Sequence, residues 1–191
     1  MPAALNIRDM RADEAEPLGR LLIDAYSGLD GFPTLTEQPQ YYDLLARVGS
    51  FADKPGVRVL VALAGQGELV GGVVYFGQMA EYGSGGIATS LEEASGIRLL
   101  AIDARRRGLG AGKALTQACV DLARRAGRAQ VVLHTTEAMH VAWRMYEKLG
   151  FIRAPELDFL QQSLPVFGFR LQMDWLTRKG RAQARLHGKA A

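Results

Sequence analysis

"LLAIDARRRGLGAGKAL", residues 99–115, passes from an apolar run through three consecutive arginines to glycines at 108, 110 and 112, and then into an amphipathic pattern. The run "IRLLAID" (97–103) reads as a strand, and "ALTQACVDLARRAG" (114–127) sets Leu115, Cys119, Leu122 and Ala126 on one helical face. A helix start exposes amides with no intrahelical acceptor at the positive end of its dipole, and glycines let an anion approach them closely. Phosphate is the natural ligand of such a start. The stretch is not a P-loop, because Lys113 is followed by Ala114 and not by Ser or Thr. Nor is it the dinucleotide fingerprint, since its glycines alternate and its strand comes late, after a hairpin.

Upstream, "ALNIRD" (4–9) predicts a short first strand, and "ADEAEPLGRLLIDAYSGL" (12–29) a helix with Leu18, Leu21, Leu22 and Ala25 at helical spacing. After the turn signals "DGFPT" comes a second helical stretch, "TEQPQYYDLLARVGSF" (36–51), which ends near Pro55-Gly56. The pattern then changes. "VRVLVALA" (57–64) and "ELVGGVVYFGQM" (68–79) are β-rich runs joined by "GQG", which predicts a hairpin of two well-buried strands. Residues 81–96, "EYGSGGIATSLEEASG", read as a glycine- and serine-rich loop interrupting the sheet, and "QVVLHTT" (130–136) and "VFGFRLQM" (166–173) as further strands.

Composition bounds the function classes. A chain of 191 residues, 48% hydrophobic and 23% charged, is read as one globular domain spanning 1–177, followed by a basic tail, 178–191. No apolar run approaches the roughly 20 residues of a membrane span. The opening "MPAALNIRDM" lacks a basic stretch followed by an apolar one, so a cytoplasmic location is expected. The single cysteine, Cys119, permits no internal disulfide and no cysteine cage for a metal; no metal is expected. The net charge of +3 would suit a nucleic-acid partner, but Arg178, Lys179, Arg181, Arg185 and Lys189 all fall in the tail. Setting those five aside leaves 18 of the 23 basic residues against 20 acidic ones, so neither a nucleic acid nor a membrane is expected as partner, and a homodimer stays open.

A second motif lies in "MHVAWRMYEKLGF", residues 139–151. With the glycine loop it resembles the GNAT superfamily of acyl-CoA-dependent N-acyltransferases, in the order and spacing of both motifs. The resemblance implies a GNAT fold of the α/β (α+β) type. Its central mixed, mostly antiparallel sheet would have six to seven strands and about four flanking helices, with a V-shaped splay between the fourth and fifth strands. It implies a CoA pyrophosphate held by Arg107, Gly108, Leu109, Gly110, Ala111, Gly112 and Lys113. The register beginning at Arg107 is preferred to the one beginning at Arg105, because it brings Lys113-Ala114-Leu115 into the family's helix start. Leu100, Ala101 and Ile102 would offer backbone groups to the pantetheine arm. In the second motif Ala142, Tyr146, Gly150 and Phe151 match, while Met139 stands where the family usually has an asparagine contacting the cofactor.

The implied reaction is direct attack of a primary amine on the thioester of acetyl-CoA within a ternary complex, which needs help for the developing oxyanion and a proton for the departing sulfur. By the same resemblance Tyr146 is the general acid and a backbone N–H near Ile102 the oxyanion donor. Several family members carry a glutamate at the strand position that aligns with Gly96; here it is absent. Glu93, beside Glu92, is taken as the candidate base, with Asp103 as another option, while His134 and His140 flank the cofactor side in capping or surface roles. Tyr26, Phe32, Tyr41 and Tyr42 are candidates for the acceptor wall. A small-molecule amine is preferred as acceptor, and the body's slight acidity leans toward a cationic one. A protein acceptor, or a catalytically weak acyl-CoA-sensing module, remains the alternative.

Overall fold

The computed structural model describes residues 5–173; the basic tail assigned to 178–191 lies outside them. The chain opens with β1 (Asn6–Asp9), α1 (Ala15–Ser27) and α2 (Pro39–Ala46), then β2 (Val57–Ala64), β3 (Glu68–Phe76) and β4 (Ala94–Ile102). It continues through α3 (Ala111–Arg125), β5 (Gln130–Thr135) and α4 (His140–Lys148), and its described part closes with β6 (Ile152–Arg153), β7 (Phe159–Gln161) and β8 (Leu164–Gln172). The sheet runs β1-β2-β3-β4-β5-β8-β6, with β7 paired to β8 off this path. Every pairing is antiparallel except that of β4 with β5. This is the expected mixed sheet, enlarged to eight strands by β6 and β7, whose two and three residues are too few to show a period.

Helices cover both faces, which is why β2 and β3 read as nearly unbroken apolar runs. Along β2, Val59, Val61 and Leu63 pack toward Leu18 and Leu22 of α1 and Leu45 of α2. Leu60, Ala62 and Ala64 turn the other way, toward Leu115 and Cys119 of α3. The α3 face centres on Leu115, Cys119 and Ala123; Leu122 sits at its margin and Ala126 is exposed, one residue off the predicted stripe. The second helical stretch also divides, with α2 ending at Ala46 and a 3-10 segment, Val48–Asp53, completing it.

The other difference bears on the site. β4 begins at Ala94, so residues 94–96 belong to the strand and not to the loop. Gly96 makes that stretch look loop-like, yet the glycine is imposed by packing: a Cβ there would lie 2.3 Å from Cδ2 of Tyr82.

Candidate active site

β4 and β5 are paired only from Ala94–Gln130 to Ile97–Leu133. Beyond that point β5 continues against β8 and β4 against β3, so Arg98 to Ile102 present an edge toward β5 with no strand on it. A bulge marks the parting. Leu99 and Leu100 stand opposite the single Val73, and buried Leu99 adopts φ 56°, a left-handed conformation costing of order 1 kcal/mol for a leucine. A bulge of this kind takes backbone groups out of the ladder at the point where the two strands part.

On one side of that opening lies the glycine loop. Asp103 caps the turn before it by accepting the Arg105 amide at 2.9 Å, and it also pairs with the Arg105 guanidinium, which holds its carboxyl below the usual carboxylate range. Arg106 is taken up by Glu68. Arg107 and Lys113 are exposed, and their side chains have no partner among the described residues. Gly108 and Gly110 take φ 88° and 79° with open space where a Cβ would be, so conformation requires them. At Gly112 a Cβ would lie 3.4 Å from Sδ of Met145, an ordinary contact, so neither packing nor conformation demands glycine there. Gly110 is the N-cap of α3 and offers no side-chain cap; the first intrahelical bond from this start is Ala114 N to Gly110 O. The preceding amides are thus available beside two unpaired cations, a donor set that fits the diphosphate of a nucleotide cofactor.

Tyr146 of α4 is buried in the cluster that joins α3 and α4 to the sheet, partly buried Leu100 and Ile102 packing against the same cluster, and it lines neither of the cavities described below. Phe151 N donates to the Tyr146 carbonyl and Gly150 N to that of Glu147, with Gly150 at φ 91°: a Schellman ending that explains the Gly-Phe pair in the motif. The Phe151 ring packs 5.8 Å from that of Tyr146 and fixes its direction. Burial, reinforced by the neighbouring Tyr82 and Cys119, raises the Tyr146 hydroxyl well above its ordinary value, so it stays protonated near neutrality. No described residue receives its hydrogen bond.

On the other side lie two connected cavities that share Tyr41, Ser84, Arg98 and Gln161. The outer measures about 480 Å³, the inner about 60 Å³. The rings of Tyr26, Phe32 and Tyr41 meet in a triangle with centroids 5.4–5.9 Å apart and form one inner wall. Tyr42 does not join them; its hydroxyl donates to the Pro33 carbonyl inside the core. His134 also lines the inner cavity, whereas the sequence put it on the cofactor side. Its Nε2 lies 2.9 Å from the Leu157 carbonyl, which can only accept, so Nε2 carries the proton. Its Nδ1 then accepts from the Tyr82 hydroxyl at 2.9 Å, with Ser84 Oγ at 3.4 Å. Burial holds this imidazole neutral by pushing it below its ordinary value.

The residues singled out in the sequence are thus brought together unevenly. Leu100, Ala101 and Ile102 form the free edge of β4, and Arg107 through Lys113 follow directly. Ala142 packs in the α3/α4 cluster with Tyr146, while Met139 lines the inner cavity on the acceptor side. Glu93 is exposed before the first residue of β4, and its carbonyl accepts from Ala129, at the closed end of the strand pair. It lines neither cavity. Sequence reasoning missed the Tyr82–His134 pair and Arg98, which lie 52 and more than a dozen residues from their partners and follow no local pattern. The signal that could have found the first is Gly96, since a glycine inside a strand marks a place where another group approaches closely.

A family model described as "Acetyltransferase (GNAT) family" matches residues 18–151, and the chain belongs to that family. It is an acyltransferase on that ground. Among solved structures it is similar to an acetyltransferase of the GNAT family from Staphylococcus aureus Mu50, with 16% identity, TM-score 0.67, and 88% of this chain and 99% of that one covered. It is also similar to the PaiA N-acetyltransferase from Thermoplasma acidophilum in complex with coenzyme A, with 12% identity, TM-score 0.67, and 89% and 99% covered. These likenesses speak for the fold. A mycothiol acetyltransferase of Thermobispora bispora is 42% identical over 57 residues, which is 30% of this chain; the match spans only 19% of that relative.

Proposed function

We propose that the protein transfers an acetyl group from acetyl-CoA to a primary amine of a small molecule, by direct attack in a ternary complex. The observation that carries this reading is the parting of β4 from β5, with an uncapped glycine helix start following β4 and a partly open cavity lined by Arg98, Leu99 and His134 at the point of parting. The amides of Gly108 to Lys113, with the side chains of Arg107 and Lys113, would hold the cofactor's diphosphate. The free edge of Leu100 to Ile102 would align its pantetheine arm. The bound cofactor supplies an acyl thioester; the chain supplies its placement. An amide at the Leu99–Leu100 bulge faces the charge that develops on the carbonyl oxygen.

The attacking nitrogen must lose a proton and the departing sulfur must gain one. His134 is the proton acceptor that the acceptor cavity offers, since its Nδ1 can take a proton while the Tyr82 hydroxyl turns to the Ile97 carbonyl, 3.4 Å away. Glu93 has no part in this scheme. Tyr146 donates to the sulfur; its raised pKa suits hydrogen-bond donation more than full ionisation. A small acceptor is favoured over a protein because the Tyr26–Phe32–Tyr41 triangle walls the inner cavity and the Gln161–Gln38 side-chain bond of 2.7 Å borders the outer one. We place the reaction in the cytoplasm, which a lone buried thiol suits.

The test is release of free thiol from acetyl-CoA across a panel of amines, with the acetylated product identified by mass. Amine-dependent release supports the reading. Tight CoA binding with no release on any amine favours the sensing module instead.

A further inference from the structure

The acceptor cavities have the opposite electrostatic sign to the body around them. Neither is lined by a carboxylate, and Arg98 is the one charged side chain among their lining residues. No acidic residue among the described ones lies within ion-pair distance of Arg98. Its Nη1 donates to the Tyr82 carbonyl at 2.6 Å, and its guanidinium carbon sits 5.7 Å from the centre of the Tyr82 ring. That anchorage fixes the plane of the group and leaves Nε and Nη2, the edge that receives a carboxylate in two parallel bonds, unbonded and not sealed from solvent.

Independent features converge on the same space. Thr135 and Thr136 line the inner cavity at 2% and 4% exposure, and neither hydroxyl has a partner among the described residues. Buried hydroxyls are normally paired, so two adjacent orphans beside an unpaired guanidinium mark a place where a polar ligand belongs. Tyr26 and Tyr41 also line the inner cavity; burial keeps both phenols protonated, and their hydroxyls interact with each other. Of the remaining inner wall, Phe32, Leu99, Met139, Phe159, Leu164 and Val166 are apolar, beside the polar Ser84, His134 and Gln161.

From this we infer that the acceptor is an amino carboxylate: a small primary amine whose carboxylate pairs with Arg98 and whose apolar body fills the inner cavity. The inference rests on the acetyl-transfer reading and names its substrate class. It reverses the lean toward cationic acceptors drawn from the body's acidity, because the local charge and not the net charge decides what the cavity admits. A single guanidinium matches a single negative charge, whereas a phosphate dianion would leave one charge unmet in a partly apolar enclosure.

The experiment uses α-, β- and ω-amino carboxylates with apolar side chains, each beside its carboxamide, together with spermidine and phosphoethanolamine. Acetyl transfer is followed by thiol release, and binding by calorimetry on both the free and the CoA-saturated protein. The best carboxylate is expected to exceed its carboxamide at least tenfold in kcat/KM and in affinity. That preference should fall below threefold in Arg98→Gln and survive in part in Arg98→Lys, with CoA affinity unchanged as the check on folding. A carboxamide equal to its carboxylate, a preference for spermidine or phosphoethanolamine, or an equal loss for every acceptor in Arg98→Gln would overturn the inference. Failure of CoA to bind would instead overturn the acetyl-transfer reading, and carboxylate-over-carboxamide binding to the free protein would still decide the subsite.

Discussion

The ring of Tyr82 occupies the space into which Gly96 would project a side chain: a Cβ on Gly96 would lie 2.3 Å from Cδ2 and 2.5 Å from Cε2 of that ring. Where the resemblance implies a glutamate in several family members, this chain has a glycine covered by the Tyr82 ring, whose hydroxyl reaches His134.

Gly96→Ala should therefore destabilise the fold by about 1–3 kcal/mol, the cost of overpacking a site whose neighbours cannot retreat. Tyr82 is 0% exposed and packs against Phe76 and His134, so it has nowhere to go. In a Tyr82→Ala background most of that cost should vanish, because the two residues compete for one volume. Urea denaturation of the four variants measures the interaction; a Gly96→Ala cost unaffected by Tyr82→Ala would refute the contact.

His134 gives a pH dependence of definite sign. Burial, aided by the charge of Arg98 and opposed by the bond to Leu157, places the folded pKa below the ordinary 6.5. Below pH about 6.5 the unfolded chain takes up a proton that the native imidazole refuses, so stability present above that pH is lost as pH falls through the folded value. The acid limb of kcat/KM should lie in the same window, since only neutral His134 can accept a proton. His134→Gln is expected to flatten the stability slope there and to slow transfer. Thermal unfolding and initial rates between pH 5 and 8 check both, and a stability that rises on acidification through this window would contradict the assignment.

The sheet was legible because β2, β3, β5 and β8 are long and apolar on both faces, and the cofactor loop because its glycines and arginines are contiguous in sequence. The arginines could be counted but not sorted: only the fold reveals that Asp103 and Glu68 take Arg105 and Arg106 and leave Arg107. On the acceptor side only the aromatic wall of Tyr26, Phe32 and Tyr41 was legible. Tyr26, Tyr41, Tyr82, Arg98, His134 and Thr135 come from five stretches of chain, and a buried tyrosine beside a ligand looks in sequence like a buried tyrosine in a core. Glu93 drew attention as a carboxylate near the strand, but a β-strand advances about 3.3 Å per residue, so residues before Ala94 sit far from an opening that starts at Arg98.

The sorting of arginines makes its own prediction. Arg107→Gln should weaken CoA binding about three- to tenfold, while Arg105→Gln and Arg106→Gln, whose guanidinium groups are engaged by carboxylates, should stay within about twofold. Gly110→Ala should weaken it as well without any clash, because its φ of 79° disfavours a Cβ and the space around it is open. Calorimetric titration of CoA ranks the four variants, and an effect at Arg105 larger than at Arg107 would favour the other register of the loop.

The most direct test of the account is the single-turnover rate of acetyl transfer in Tyr146→Phe. The phenyl ring can keep its packing against Phe151 and leaves the Schellman ending of α4 untouched, so only the hydroxyl is removed. With loss of the proton donor the rate should fall about 100-fold or more, at an affinity for acetyl-CoA within about twofold of the parent. An unchanged single-turnover rate would contradict the assignment of Tyr146 to the chemistry, and with it the mechanism proposed for this fold.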